Sequence, residues 1–596
     1  MSDQDLRALA TAWADADPDE TTRAELLALL AVPDLATTDV ADRFAMMLEF
    51  GTAGLRGVLG AGPNRMNRAV VLRTTWGFGR HLLAAVPDAA ERGVVVGYDG
   101  RRRSRDFAED TACVLAALGI RSWLFDTVGP TPLIAFAVTR KGAAAGVMVT
   151  ASHNPPEYNG YKVYWDNGAQ IVPPVDVDIA KAISKSPSAV DVPRLDLVVA
   201  RERGLVLDLG DAMKRAYLDA ILDLLRSPRP EGDRSIRTVY SAMHGVGDEL
   251  LRRAFDEAKF DAIESVPEQS QPDGAFPTVA FPNPEEKGAM DLSFALARRT
   301  KAELVLANDP DADRLAVAVP DPASPTGYVQ LTGNQVGVLL GHDLLERAVA
   351  GRSEADRGKL LVLASCVSSP MLGVIAGELG VRYEETLTGF KWIANRAMQL
   401  EASEGLEFVF GYEEALGYTV GTVVRDKDGI GAGLAFADFA ARLKTRGRSV
   451  QAELESIARR FGLFVSTQVN VTKRGVAGAA EIRALMAGLR ARSPKAFGPF
   501  AIRAVRDVQS GTRVDAKTGE RSAIALPPSN VVIYDLEGGS RVIARPSGTE
   551  PKIKYYVDVR EPVRDGEPFA DAEVRATVNM KALSDAFVAF ADAGVA

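Results

Sequence analysis

The 596-residue chain is 47% hydrophobic and 25% charged, with a formal net charge of −9, the balance of an ordinary soluble globular protein long enough for about four domains. An acidic chain is a poor generic binder of nucleic acid or anionic membrane, so an anionic ligand has to be caught by a local cluster of cations. The two cysteines, Cys113 and Cys366, lie far apart in apolar surroundings without any Cys-x-x-Cys or Cys/His cluster, which predicts buried structural thiols.

In chain order, Met1-Ser-Asp-Gln-Asp-Leu6 is acidic where a signal peptide is basic and apolar, so a cytoplasmic protein is expected. Residues 1–45 show helical spacing, as at Leu26, Leu27, Leu29 and Leu30 behind Asp19-Glu-Thr-Thr22, and read as an N-terminal helical extension. Between residues 94 and 171, apolar strand-like runs alternate with Ala/Leu-rich helical ones such as residues 107–118, which predicts βαβ units on a mixed sheet within a domain spanning 46–205. Strands near 237–241, 304–307 and 315–319 bracket a second α/β unit, 206–322, closed by the turn-rich Pro320-Asp-Pro-Ala-Ser-Pro-Thr-Gly327. A third unit, 323–455, opens with a helix after Thr332-Gly-Asn334 and contains a βαβ pattern over 360–386. The most hydrophobic window, 360–380, is broken by Ser368-Ser-Pro370, an N-cap with Pro at N1, and so reads as strand, turn and helix instead of a membrane span. The last unit, 456–596, has polar turns and short strands at 530–534, 542–543 and 553–559 and is expected to be α+β.

Two loops carry chemistry. The buried-strand pattern Gly146-Val-Met-Val149 runs into Thr150-Ala-Ser-His-Asn-Pro-Pro-Glu-Tyr-Asn159, where Asn-Pro-Pro stops both strand and helix. Ser152 therefore stands at a strand's carboxyl end, where open α/β sheets bind ligands, as a hydroxyl able to carry phosphate; the plain alternative is a helix-capping turn. In the second loop, Asn308-Asp-Pro-Asp-Ala-Asp-Arg314 sits between two apolar strands. In extended backbone a spacing of two turns Asp309, Asp311 and Asp313 to one side, toward one hard cation. An EF-hand is excluded because Arg314 stands where that loop needs Gly, and Pro320 where it needs Glu. Three oxygens with open positions suit Mg²⁺ shared with a phosphate; the plain alternative is a solvated acidic turn. The arginines of glycine-rich loops, Arg56, Arg314 and Arg545, suit bidentate contact with phosphate oxygens.

These loops, with Arg545-Pro-Ser-Gly-Thr-Glu-Pro551, resemble in type and order the three signature loops of the α-D-phosphohexomutase superfamily. Glu49-Phe-Gly-Thr-Ala-Gly-Leu-Arg-Gly57, Asn64-Arg-Met-Asn67, Tyr158-Asn-Gly-Tyr-Lys-Val-Tyr-Trp165 and Gly411-Tyr-Glu-Glu-Ala-Leu-Gly-Tyr418 resemble its type-2 phosphoglucomutase and phosphopentomutase branch. The resemblance runs from about residue 20 to the end. It implies four domains around a central cleft, three α/β domains with mixed sheets and a C-terminal α+β domain. It further implies a phosphorylated Ser152, Mg²⁺ on Asp309, Asp311, Asp313 and the phosphoserine, and a sugar bisphosphate such as glucose 1,6-bisphosphate as activator.

His153 is a candidate to orient the phosphate or the attacking hydroxyl, and Lys162 and Lys427 are the two candidates for the base. Thr388, Gly389 and Lys391 resemble the loop that meets the sugar, where Glu413 and Glu414 are expected to accept hydrogen bonds from vicinal hydroxyls. Arg545, Ser547, Gly548 and Thr549 suit a phosphate that is bound but not transferred. One position departs from the hexose enzymes: the serine that usually follows the glutamate pair is Ala415. The implied partners are small sugar phosphates, with no nucleic acid and no membrane, and the implied state is monomer or dimer. The implied reaction interconverts glucose 1-phosphate and glucose 6-phosphate through a phosphoserine and a bisphosphate. A phosphomannomutase, a phosphopentomutase, a glucose 1,6-bisphosphate synthase and a metal-dependent sugar phosphatase are the alternatives.

Overall fold

In the computed structural model, residues 2–51, 54–225, 234–473, 475–547 and 552–593 are described. They divide into two compact units, one of residues 1–332 and 415–445, the other of 333–414 and 446–596.

The first unit carries two mixed sheets. Strands β1 (Leu55–Val58), β2 (Val94–Tyr98), β3 (Ser122–Phe125), β4 (Ala145–Val149), β5 (Tyr158–Trp165) and β6 (Val206–Leu209) form a sheet of order β1-β5-β4-β2-β3-β6. The four strands β4, β2, β3 and β6 are parallel, and β5 and β1 add an antiparallel edge. Strands β2 and β4 are buried along their whole length, as the central strands of a parallel sheet covered on both faces must be. A Cβ at Gly146 would stand 2.5 Å from a Val138 methyl, so glycine there lets helix Thr131–Lys141 seat directly on β4. The core gathers Phe78, Phe107, Val96, Val147, Val149 and Tyr161.

Ahead of this sheet, helices Asp3–Asp15, Glu20–Leu30 and Val40–Arg43 make the helical extension. Its small core of Leu6, Ala10, Ala14, Leu26, Leu35, Val40 and Phe44 takes in Ala61 of the following loop. The second sheet consists of β7 (Thr238–Ser241), β8 (Glu264–Ser265), β9 (Leu304–Ala307), β10 (Ala316–Pro320) and β11 (Tyr328–Gln330), in the order β11-β10-β9-β7-β8. Because β9 and β10 are antiparallel neighbours, the Asp-rich loop between them is a tight reversal. Helix Gly429–Thr445 belongs to this unit. A Cβ at Gly429 would lie 2.3 Å from the Arg314 carbonyl oxygen, so the backbone of the residues before this helix approaches the Asp loop closely.

In the second unit, β12 (Leu360–Ser365), helix Met371–Leu379 and β13 (Arg382–Thr386) form the expected βαβ, with β14 (Glu407–Glu413) parallel on the other side of β12. Pro370 is the N-cap of that helix, not its first residue, and the Ser369 hydroxyl accepts the Met371 N–H at 3.3 Å. The serine thus caps from one position earlier than its spacing suggested. The chain ends in an antiparallel sheet, including Leu463–Thr472, Phe500–Asp507, Val532–Leu536, Arg541–Pro546 and Lys552–Glu561. Helices Gly475–Ala491 and Phe569–Asp592 pack against it over Leu485, Met486, Tyr534, Tyr555 and Phe587. This is the expected α+β arrangement. Cys113 and Cys366 are free and buried, and burial pushes their thiols up to about 11 and about 12, which makes both poor nucleophiles. Among the described residues no helix is long and apolar enough to cross a membrane.

Candidate active site

Strand β4 ends at Val149 and delivers Ser152 into a loop held entirely by polar contacts. The Thr150 hydroxyl donates to Asp99 Oδ2 at 2.6 Å and accepts the Ser152 N–H at 2.9 Å. Ser152 is buried and left-handed, with φ +52°, a conformation that a non-glycine residue keeps only where its surroundings over-determine it. Much of that determination comes from Arg101. Its fully buried guanidinium donates to the carbonyls of Ser152 at 2.6 Å, Pro155 at 2.8 Å, Tyr158 at 3.2 Å, and also Asn154. Asp99, 3.5 Å from Arg101 Nε and hydrogen-bonded to Ser104, balances this charge. Arg56 Nη1 donates to Asn154 Oδ1 at 3.1 Å, which ties that arginine to the loop.

The three aspartates converge as expected, though not by strand alternation. Ala312 N–H donates to the Asp309 carbonyl at 2.8 Å and Ala312 has φ +52°, a β-turn with Pro310 at the position that its fixed φ favours. The reversal between antiparallel strands, not extended backbone, therefore points the carboxylates together. Ser152 Oγ donates to Asp309 Oδ2 at 2.8 Å, so the serine hydroxyl and the triad form one site. Thr131, at the start of helix Thr131–Lys141, binds Asp311 twice, hydroxyl to Oδ2 at 2.6 Å and N–H to carbonyl at 2.9 Å.

Oxygens of Asp309, Asp311 and Asp313 lie within 4.8 Å of one another, all buried. Asp311 Oδ1 and Asp313 Oδ1 have no hydrogen-bond partner there, and a buried unsatisfied carboxylate oxygen is costly. An all-oxygen set with two such atoms fits a hard divalent cation.

Arg314, whose Nε lies 3.9 Å from Asp309 Oδ2, and two lysines bring positive charge to the triad. Lys162 Nζ, on β5, lies 2.7 Å from Asp311 Oδ2 and 3.0 Å from Asp313 Oδ2. Lys427 Nζ lies 3.2 Å from Asp313 Oδ2 and 3.4 Å from Asp426 Oδ1. Burial opposes the Lys162 charge, but the two carboxylates outweigh it and hold this amine above its ordinary value. Of the two candidate bases, Lys162 is thus held firmly in its charged form, because its nearest neighbours are anions. Burial likewise pushes Asp309 well up, with Asp311 and Asp313 adding to it, whereas Asp311 ends below the usual carboxylate range because Lys162 and Thr131 more than offset its burial.

His153 Nδ1 stands 3.1 Å from Ser152 Oγ, and burial, with Arg314 and Arg56 nearby, holds the imidazole well below its usual value, so it is neutral near pH 7. Arg314 N–H donates to Asp309 Oδ1 at 3.1 Å, and its Nε is buried without a hydrogen-bond partner, a donor available to an anion at the serine.

In the second unit, Glu413 Oε1 accepts the Gly389 N–H at 2.6 Å, which ties the end of β14 to the turn at Gly389, itself at φ +113°. Thr388 Oγ1 is buried without a partner and Lys391 is buried. Glu414 Oε2 is taken up by the hydroxyls of Ser365 and Ser368, both at 3.1 Å, so that carboxylate is anchored to its own sheet. Arg545 Nη1 approaches the Tyr556 hydroxyl at 3.5 Å and Ser547 N–H donates to the Lys552 carbonyl at 2.7 Å. Gly548 and Thr549 lie outside the described residues.

Three α/β/α domain patterns of the phosphoglucomutase/phosphomannomutase family match the chain in order, domain I at 47–189, domain II at 215–322 and domain III at 332–461. The human phosphopentomutase is 38% identical over 550 residues, spanning 88% of this chain and 87% of its own. The chain belongs to the α-D-phosphohexomutase superfamily. A probable phosphomannomutase of Haemophilus influenzae is 41% identical over 501 residues, covering 83% of this chain and 93% of that one. A phosphoglucomutase/phosphomannomutase family protein of Burkholderia thailandensis shares the fold, with a TM-score of 0.64, 20% identity and coverage of 92% and 98%. The chain is accordingly an enzyme of the mutase class, an isomerase that moves a phosphoryl group within its substrate.

Sequence reasoning missed Asp99, Arg101, Thr131 and Asp426. The last accepts from Tyr164 at 2.8 Å, Gln170 at 2.7 Å and the Lys427 N–H at 2.7 Å and so fixes the segment that presents Lys427. Asp99 and Arg101 did carry a signal: they follow β2 as Ser152 follows β4, at the carboxyl end of a parallel strand.

Proposed function

We propose that this enzyme interconverts glucose 1-phosphate and glucose 6-phosphate through a phosphorylated Ser152, with glucose 1,6-bisphosphate both as intermediate and as activator. The observation that carries the reading is the Ser152 hydroxyl, buried in a left-handed loop 2.8 Å from a three-aspartate cluster. Phosphoserine there adds roughly −1.5 to −2 charge, which Arg314 Nε and neutral His153 are placed to receive. Asp309, Asp311 and Asp313 would hold Mg²⁺, which supplies Lewis-acid stabilisation of charge on the transferring group.

In the forward half-reaction the phosphoserine P–O bond breaks, a P–O bond to the free sugar hydroxyl forms, and the hydroxyl proton passes to a base. Lys162 is gripped more closely by carboxylates than Lys427, so we assign Lys427 as the base and Lys162 as the cation that orders the triad. After the bisphosphate turns over, its other phosphate returns to Ser152. Glu413, Thr388 and Lys391 are assigned to the sugar, and Arg545, Ser547, Gly548 and Thr549 to the phosphate not being transferred. Arg56, beside Asn154, is assigned to the edge of the transferring phosphate. A cytoplasmic enzyme, monomeric or dimeric, acting on small sugar phosphates completes the proposal.

A phosphopentose is the second reading. Ala415 removes a polar contact that a hexose hydroxyl would use, and relatives named phosphopentomutase and phosphoglucomutase match at similar identity, 38% and 36%. A coupled assay over glucose, mannose and pentose 1-phosphates, each with its bisphosphate, orders the substrates. Ser152→Ala should lose the phosphoenzyme and nearly all turnover with the fold intact. Mutase activity retained in that variant overturns the mechanism, and a wild-type enzyme that chiefly releases inorganic phosphate overturns the mutase reading in favour of a phosphatase.

A further inference from the structure

The helical extension precedes the stretch matched by the first domain pattern, which begins at residue 47, yet it reaches the Ser152 loop by two routes. The first passes through Asp19. This buried residue caps helix Glu20–Leu30, its Oδ1 accepting the Thr21 N–H at 2.9 Å, while its Oδ2 is ion-paired with Arg103. Arg103 is itself left-handed, with φ +68°, and its Nε lies 3.1 Å from Asp106. The pair therefore fixes a backbone position that a non-glycine residue does not hold by itself. Two residues earlier is Arg101, whose guanidinium carries four carbonyls of residues 152–158. Between them the Arg102 carbonyl accepts from Asn159 Nδ2 at 2.9 Å, and the same amide donates to Ser104 Oγ at 3.0 Å. Residues 101–104 are thus the bed on which residues 152–159 lie, and Asp19 pins one end of it.

The second route passes through Ala61. Glu25 Oε2 accepts the Ala61 N–H at 3.1 Å, and Arg43 Nη1 donates to the Ala61 carbonyl at 3.0 Å and to Glu25 Oε1 at 2.7 Å. Two residues upstream, Leu59 N–H donates to the Glu157 carbonyl at 2.7 Å, inside the Ser152 loop. Both routes are carried by charged pairs and backbone hydrogen bonds, which are directional and set position more sharply than apolar packing does.

We propose that the extension braces the nucleophile loop, with Asp19 and Arg103 as positioning residues for phosphoryl transfer. The proposal rests on Ser152 being the phosphoryl carrier. Loss of the Asp19 charge lets residues 101–104 relax, and the loop carbonyls on Arg101 shift with them, so Ser152 Oγ leaves its alignment while the sugar and distal-phosphate contacts are untouched. The effect therefore falls on kcat and not on KM.

The test uses the full-length enzyme. Asp19→Asn keeps the helix cap, because Asn caps as well as Asp, and removes only the charge. Its kcat and its rate of Ser152 labelling by glucose 1,6-bisphosphate should fall together, about tenfold for a sub-ångström misplacement, with KM unchanged. Amide exchange should rise over residues 152–160 and stay as in wild type over β2. Arg103→Gln should match Asp19→Asn, Arg103→Lys should restore most of kcat, and the double variant Asp19→Asn/Arg103→Gln should be no worse than either single, as expected for one coupled pair. Unchanged loop exchange in Asp19→Asn, additive losses in the double variant, or an equal rise of exchange in β2 overturns the brace. If wild type takes no phosphate on Ser152, the labelling arm refutes the proposed carrier, while the exchange arm still decides whether the extension holds the loop.

Discussion

Replacing Lys162 by Met preserves the apolar stem and removes the ammonium that Asp311 and Asp313 share at 2.7 and 3.0 Å. All three side chains are buried, and breaking a buried pair by removing one partner costs about 3–5 kcal/mol. Lys427 still faces Asp313 at 3.2 Å, so the lower end applies, about 3 kcal/mol. At about 2.1 cal/mol/K of unfolding entropy per residue, a unit made of residues 1–332 and 415–445 shifts by about 1.3 °C per kcal/mol, so it should melt about 4 °C lower than wild type in EDTA near neutral pH.

The sign with pH follows from Asp311. Its carboxyl lies below the usual range in the folded protein because Lys162 and Thr131 outweigh burial, so the stabilisation is present above the ordinary carboxylate pKa of about 4 and is lost as pH falls further. The gap between wild type and variant should close on acidification. Mg²⁺ should reverse the defect, since a divalent ion replaces the missing charge and a ligand bound only by the folded state stabilises it by mass action. The assay is a thermal melt of both proteins in EDTA and across a Mg²⁺ titration. A variant that melts with wild type in EDTA, or a triad whose stability ignores Mg²⁺ in both proteins, refutes the account of the site.

Arg545→Ala should lower mutase kcat/KM by on the order of 10² or more, the cost of a lost positioning contact, and leave the slow hydrolysis of phosphorylated Ser152 unchanged. Near-wild-type flux in that variant removes Arg545 from the distal phosphate. Asp428, whose Oδ1 accepts from Tyr217 and from the Ile430 and Gly431 N–H groups, is pushed up to about 6 by burial. Its protonated form therefore stabilises the fold below the ordinary carboxylate pKa, and that contribution is lost as pH rises to about 6. Asp428→Asn should remove this slope and gain up to about 2–3 kcal/mol over wild type above pH 7 in urea melts, and an unchanged slope shows that burial does not control this carboxyl.

The parts of the site legible from sequence were those in which chemistry and punctuation share one short segment. Ser152 stood between a buried strand and Asn-Pro-Pro, and the triad between two apolar strands, so type and place could both be read. The route by which the triad converges could not, because alternation and a turn give the same spacing of two; only the antiparallel pairing of β9 and β10 selects the turn. Glu414 shows a different limit: that the hydroxyls of Ser365 and Ser368, some fifty residues upstream, hold its Oε2 cannot be read from its place beside Glu413.

Arg101 shows most clearly what the linear chain hides. Its contacts run 51 to 57 residues forward, a separation no local pattern encodes, and its own surroundings, Asp99-Gly-Arg-Arg-Arg-Ser104, look like a solvated basic turn. The sheet order resolves it: β2 lies beside β4, so the loops that follow the two strands emerge side by side. Of three consecutive arginines in such a place, only the one fully withdrawn from water must satisfy its donors inside the protein, and the unpaired carbonyls of a loop that is neither strand nor helix are the acceptors at hand. The strained Ser152 turn and the buried guanidinium are therefore two halves of one solution. The turn exposes carbonyls that need donors, the arginine brings donors that need acceptors, and the serine's position is what their pairing determines.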